Sequence, residues 1–173
     1  MKKIFLITLV ALLGMNLYSQ EEKSSGKAQK LPSVDIKTLD GKTFNTKDIQ
    51  NDGKPIIISL WATWCKPCIQ ELMAIADVYD DWVEETGVIL YAISVDDSKS
   101  SARVAPFVNG KAWDYDILLD VNQDFQRAMS VNALPFLCIL NGDGEIVWKH
   151  TSYAPGSEED VYEVVKELAK GKK

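Results

Sequence analysis

At 173 residues the chain has room for one domain with a full core, but not comfortably for two. Apolar residues make up 46% and charged residues 25%, which excludes a disordered or fibrous chain. The formal charge of −6 argues against a nucleic-acid partner and offers no attraction to anionic lipid, so acidity here serves solubility.

Lys2 and Lys3 precede an apolar run from Ile4 to Met15, followed by Leu17-Tyr18-Ser19. This is the order of a secretory signal: basic start, short apolar middle, small residue at the cut. The run is shorter than the about 20 residues needed to span a bilayer, so residues 1–19 read as a cleaved leader and an uncleaved anchor is the alternative. Residues 20–30, polar and without apolar periodicity, read as a flexible linker, and 31–173 as the domain. The mature protein is expected to work outside the cytoplasm, in the periplasm or an equivalent space, with no membrane span of its own.

Within the domain, "VDIKTLDGKTF" predicts a small hairpin turning at Asp40-Gly41. "PIIISLW" (55–61) is an unbroken β-branched run, which suits a strand covered on both faces. One long helix is expected from about Lys66 to Thr86. At about 100° per residue, Ile69, Leu72, Ala76, Tyr79, Trp82 and Val83 share one arc, and Gly87 ends the helix. "VILYAISV" (88–95) then completes a right-handed βαβ unit with parallel strands. Residues 98–110 read as helical despite Pro106, "YDILLD" as a strand and "VNQDFQRAM" as a short helix. "FLCIL" and "EIVWKHT", joined by "NGDG", predict an antiparallel hairpin. A last helix opens with Ser157 as its cap and acids in its first turn, and closes in lysines.

Of the three cysteines, Cys65 and Cys68 form a C-x-x-C at the junction of the first buried strand and its helix. A cysteine in the first turn of a helix meets unpaired amides and the positive end of the dipole, which favour the attacking thiolate, and Lys66 adds a positive charge. Cys68, one turn on, is within reach to attack a mixed disulfide. Pro67 stiffens the turn at little cost, having no amide to leave unpaired. Zinc would ask for four ligands, and the chain has one histidine and no second pair. A copper carrier or a static disulfide fits the bare spacing, but a lone close pair in an exported globule points to thiol–disulfide exchange. Cys138, in an alternating apolar strand, reads as core, and His150 as a surface or edge residue with nothing in sequence to pair with it.

"IIISL" before "WATWCKPC", followed by "YAISVDD", "YDILLD" and "LPFLCILNGDGEIV", resembles the TlpA/ResA branch of extracytoplasmic thioredoxin-fold proteins, from about Leu31 to Lys170. The resemblance implies an α/β thioredoxin fold: a mixed central β-sheet flanked by helices, with an N-terminal β-hairpin and a central βα insertion. It implies that Cys65 attacks and Cys68 resolves, the two forming the redox-active disulfide. Pro135 would be the cis-proline beside that disulfide, holding extended substrate. Trp64, Lys66, Pro67 and Leu134 would line the substrate groove. Cytoplasmic thioredoxins carry a buried aspartate at the place of Ser59, which cannot act as a base. The family branch instead puts a glutamate where Glu71 stands, at the edge of the apolar face, and the resemblance gives it proton exchange with Cys68.

The chain departs from the family at Met73, often proline, and at Phe136, which replaces a small polar residue and is expected to narrow or grease the groove. With lysine and proline between the cysteines and no imidazole there, a reducing poise is expected, since strong oxidants stabilise their reduced form. The function read from the sequence is an exported disulfide reductase without a cofactor. Its substrates would be protein disulfides, cytochrome c maturation being one family role, and its electrons would come from a membrane-embedded thiol carrier. The rivals are an oxidase or isomerase with the same residues and a non-catalytic copper- or client-binding module. A peroxidase would hold its attacking cysteine in a different context.

Overall fold

In the computed structural model, residues 29–171 are described, so the expected leader and residues 20–28 of the expected linker lie outside the described residues. The last two residues of the expected linker, Gln29 and Lys30, make backbone contacts with the start of the last strand (Ile146–Thr151). Gln29 accepts from the Ile146 amide at 2.7 Å, and Lys30 bridges Glu145. That strand lies at an edge of the sheet, and its start offers backbone groups that Gln29 and Lys30 meet.

Seven strands form one mixed sheet: β1 (Asp35–Thr38), β2 (Thr43–Asn45), β3 (Ile56–Trp61), β4 (Ile89–Ser94), β5 (Asp116–Leu119), β6 (Phe136–Leu140) and β7 (Ile146–Thr151). Their order across the sheet is β2-β1-β5-β4-β3-β6-β7. β3 lies parallel to β4 and antiparallel to β6, and every one of its residues is buried, as a two-faced central strand requires. The β1–β2 hairpin turns through Gly41 at φ 81°, left-handed backbone that glycine adopts without strain. The insertion is α3 (Val104–Lys111) leading into β5. Pro106 sits in the first turn of α3, where its missing N–H breaks no helical bond. The fold is that of the thioredoxin type: a mixed sheet with helices packed on it.

The single helix expected over 66–86 is two helices, α1 (Lys66–Ala76) and α2 (Tyr79–Thr86). Val78, at φ −127°, breaks the run. Beyond the break Tyr79 still faces inward, as its place in the apolar arc predicts; its hydroxyl accepts the Leu90 amide at 2.9 Å and its ring meets Tyr115 edge-on at 5.0 Å. The break also shifts the phase of the second segment, so Trp82 remains buried while Val83 faces water. Gly87 caps α2 in left-handed backbone, with the Lys54 chain packed where any side chain would have to go.

A short α4 (Asp124–Ala128) and the terminal α5 (Glu158–Lys170) complete the layers, and α5 packs against both α1 and α2, with Trp82 stacked on Tyr162. Ser157 stands at the cap position of α5 without making a cap bond. Its backbone is already helical, and Glu158 instead reaches back to the Gly156 amide. Cys138 is buried in β6, opposite Ile58, and burial pushes its thiol up to about 12. Iodoacetamide at about pH 8, near the ordinary cysteine value, is therefore expected to spare Cys138 in the folded, reduced protein. Modification of Cys138 before denaturation, read by peptide mass, would contradict this placement.

Candidate active site

The parallel strands β3 and β4 end at the same edge of the sheet, and the site lies just beyond their C-terminal ends, where open α/β sheets bind ligands. From β3 the chain turns through residues 62–65 into α1, with the Cys65 amide bonded to Ala62 O at 3.0 Å. Cys65 occupies the N-cap of α1, and its Sγ accepts from the Cys68 amide at 3.3 Å. The two cysteines form a disulfide with Cα atoms 5.3 Å apart. On reduction, that amide and the helix dipole favour negative charge on the Cys65 sulfur.

The two sulfurs are not equivalent in access. Cys65 is 5% exposed and lines an open groove of about 580 Å³, whereas Cys68 is fully buried behind it. Trp64, Lys66, Pro67 and Leu134 all line the same groove, with Trp64 64% exposed. The peptide between Leu134 and Pro135 is cis. Phe136, expected to narrow the groove, is instead buried in β6 opposite Leu60 and is not part of its lining.

The far wall was not read from the sequence. Gln123 and Gln126 belong to it, at the start of α4. Asp120, at the end of β5, accepts the Phe125 and Gln126 amides at 3.2 and 2.8 Å and so fixes the entry of that helix. Gln123 holds a left-handed backbone at φ 58° and donates to Val95 O at 3.2 Å. Strained, non-glycine backbone of this kind concentrates at functional sites.

A second unread element is Asp96, buried just past β4. Its carboxylate accepts the Thr63 amide at 2.8 Å, the Thr63 hydroxyl at 2.6 Å and the Ser94 hydroxyl at 2.9 Å. These bonds tie down the residue before Trp64 and so anchor the turn that presents Cys65. The only hint in sequence is an acidic residue directly after a buried strand.

Glu71, expected at the edge of the apolar face, is buried at 1% exposure. Its Oε1 lies 2.6 Å from His150 Nε2, and its Oε2 has no hydrogen-bond partner among the described residues. His150 is therefore not the unpaired edge residue its sequence context suggests. It points from β7 onto α1, and its ring packs on Trp148 at 4.9 Å between centroids. Ser59 is buried in β3, and its hydroxyl has no partner among the described residues either.

The AhpC/TSA family matches residues 28–149. The chain belongs to the AhpC/TSA family. Among relatives of this AhpC/TSA chain, the thioredoxin-like protein YneN of Bacillus subtilis is 32% identical over 149 residues, covering 83% of this chain and 84% of that one. The thiol-disulfide oxidoreductase ResA of Bacillus thuringiensis is 29% identical over 149 residues, covering 83% and 82%. The solution structure of an uncharacterized thioredoxin-like protein from Porphyromonas gingivalis superposes with a TM-score of 0.75 at 47% identity, covering 83% and 94%. The resemblance read from the C-x-x-C and Leu-Pro motifs holds, and the chain is a thioredoxin-like thiol–disulfide oxidoreductase.

Proposed function

We propose that the protein is an exported reductase of protein disulfides, in which Cys65 attacks and Cys68 resolves. The difference in access between the two sulfurs carries the assignment of roles, since a substrate disulfide lying in the groove meets Cys65 while Cys68 can meet only Cys65, and the lysine and proline between them, with no imidazole, favour the reducing direction. The Cys65 thiolate attacks one substrate sulfur, forming a mixed disulfide and expelling the other sulfur as thiolate. Cys68 loses its proton and attacks the Cys65 sulfur, releasing the second substrate thiolate and closing the protein disulfide. Trp64, Lys66, Pro67 and Leu134 form the bed in which substrate lies, and Pro135, following Leu134 through a cis peptide, helps hold an extended stretch of it.

Glu71, one helical turn beyond Cys68 on the same side of α1, takes the Cys68 proton in this reading. Burial with an unpartnered oxygen supports that role, since a solvated carboxylate would have no reason to face inward. The basic and apolar order of residues 1–19 supports export, and no described helix is long and apolar enough to cross a membrane. A reductant in an oxidising space must be reloaded, and a membrane-embedded thiol carrier suits that step. Cytochrome c maturation, which needs haem-binding cysteines kept reduced, is one process it would serve.

The test is the reduction potential, measured by equilibration with dithiothreitol or glutathione buffers and followed by the emission of exposed Trp64. A value near or below about −270 mV is expected. A value near about −120 mV would make the protein an oxidase instead.

A further inference from the structure

Glu71 is sealed from water at 1% exposure, yet a group that takes a proton from Cys68 in every turnover must pass it on. Its one hydrogen-bond partner among the described residues is His150, 79 positions away in sequence, whose side chain keeps 17% of its surface open. A buried carboxylate beside a single imidazole can hold one proton at no net charge, whichever of the two carries it. Neither state leaves an unpaired buried charge.

We propose that His150 is the solvent-side half of a proton relay that serves Cys68 through Glu71. The inference rests on the reading of Glu71 as the proton acceptor of Cys68. In the resolving step, Cys68 Sγ–H gives its proton to the Glu71 carboxylate while the Cys68 sulfur attacks the Cys65 sulfur and substrate thiolate leaves. Glu71 then passes the proton through Oε1 to His150 Nε2, and the imidazole releases a proton to water. When a donor thiol reloads the disulfide, the same path runs backwards and protonates the departing Cys68 thiolate. His150 touches neither substrate nor sulfur in this scheme; it is a positioning and relay residue.

Other groups surround the pair. On α1 the titratable group one turn from Glu71 is Cys68. From β7, Lys149 points the other way, its Nζ on Gln29 Oε1 at 2.8 Å. Past β7, the Tyr153 hydroxyl donates to Glu158 of α5 at 3.1 Å, and its acidity is weakened by partial burial, by Glu158 and by the charge of Glu71. Tyr153 is thus the rival exit, and the experiment has to separate the two.

The reduced protein would be mixed with an excess of an aromatic disulfide that releases a coloured thiolate. The first release reports attack by Cys65, and the second reports attack by Cys68 on the mixed disulfide. Glu71→Gln is expected to slow the second release about 100-fold, the low end of what positioned proton transfer contributes, and His150→Gln less, about tenfold, because Glu71 still stands to take the Cys68 proton. The first release should be unchanged in both, which also shows that each variant is folded. Adding His150→Gln to Glu71→Gln should cost nothing more, and free imidazole should restore the second release in His150→Ala.

An unchanged second release in His150→Gln beside a slowed one in Glu71→Gln would overturn the relay while leaving the Glu71 reading intact. The relay also fails if the two effects add in the double variant, if imidazole restores nothing, or if Tyr153→Phe reproduces the loss and His150→Gln does not. An unchanged second release in Glu71→Gln would remove the Glu71 reading, and the relay with it.

Discussion

Replacing Cys68 with serine is expected to stop the reaction half-way, with substrate covalently held on Cys65, whereas replacing Cys65 with serine is expected to reduce exchange to background and hold nothing. The asymmetry follows from access. In the Cys68→Ser protein the groove-facing sulfur of Cys65 is still at the N-terminus of α1, where the amide of residue 68 and the helix dipole favour its thiolate. It can attack a disulfide, but a hydroxyl at position 68 is far too weakly acidic to complete the exchange. In the Cys65→Ser protein the remaining thiol is fully buried and no substrate sulfur reaches it. Cys138 cannot rescue either variant, because it is enclosed in β6 and its thiol resists ionisation. Incubating each reduced variant with oxidised glutathione and weighing the intact protein would read the result. An adduct retained by Cys65→Ser and not by Cys68→Ser would reverse the two roles.

Much of this arrangement was open to reading from residue order, and the parts that were not share a cause. β3 was legible because six buried positions in succession need an apolar side chain at almost every one, and Ile56–Trp61 supplies them. The C-x-x-C was legible because its chemistry depends on local geometry, four residues at one helix start. The break between α1 and α2 was not. The apolar spacing over 66–86 fits one continuous helix, and the interruption at Val78 goes with tertiary contacts that no local pattern records, such as the bond from the Leu90 amide of another element to the Tyr79 hydroxyl. The pairing of Glu71 with His150 was hidden for the same reason. The antiparallel run from β3 through β6 to β7 places His150 two strands from β3, close to the helix that leaves β3, and no local pattern records that distance. The far wall of the groove is a further case, since α4 reaches the cysteines only by way of β5 and the Asp120 anchor.

Asp96 shows the same principle with the largest expected effect on stability. Its carboxylate takes three hydrogen bonds in a buried setting, two of them from Thr63. Bonds to a buried charged group contribute about 1.5–3 kcal/mol each, and a buried donor left unpaired costs about as much. Asp96→Ala strands the Thr63 amide and both hydroxyls while removing one buried charge. The net loss is expected to be about 3 kcal/mol in denaturant unfolding, with slower attack by Cys65 because the turn at 62–65 loses its anchor. Asp96→Asn should behave differently. Its carbonyl oxygen can replace Oδ2, accepting from the Thr63 amide and the Ser94 hydroxyl, and its NH2 can replace Oδ1 if the Thr63 hydroxyl turns to accept. Only the charge is then lost, at a cost of about 1 kcal/mol, and Cys65 should react at nearly its normal rate. Equal effects of the two substitutions would mean that the charge of Asp96, and not the shape of its hydrogen-bond network, holds the turn in front of Trp64.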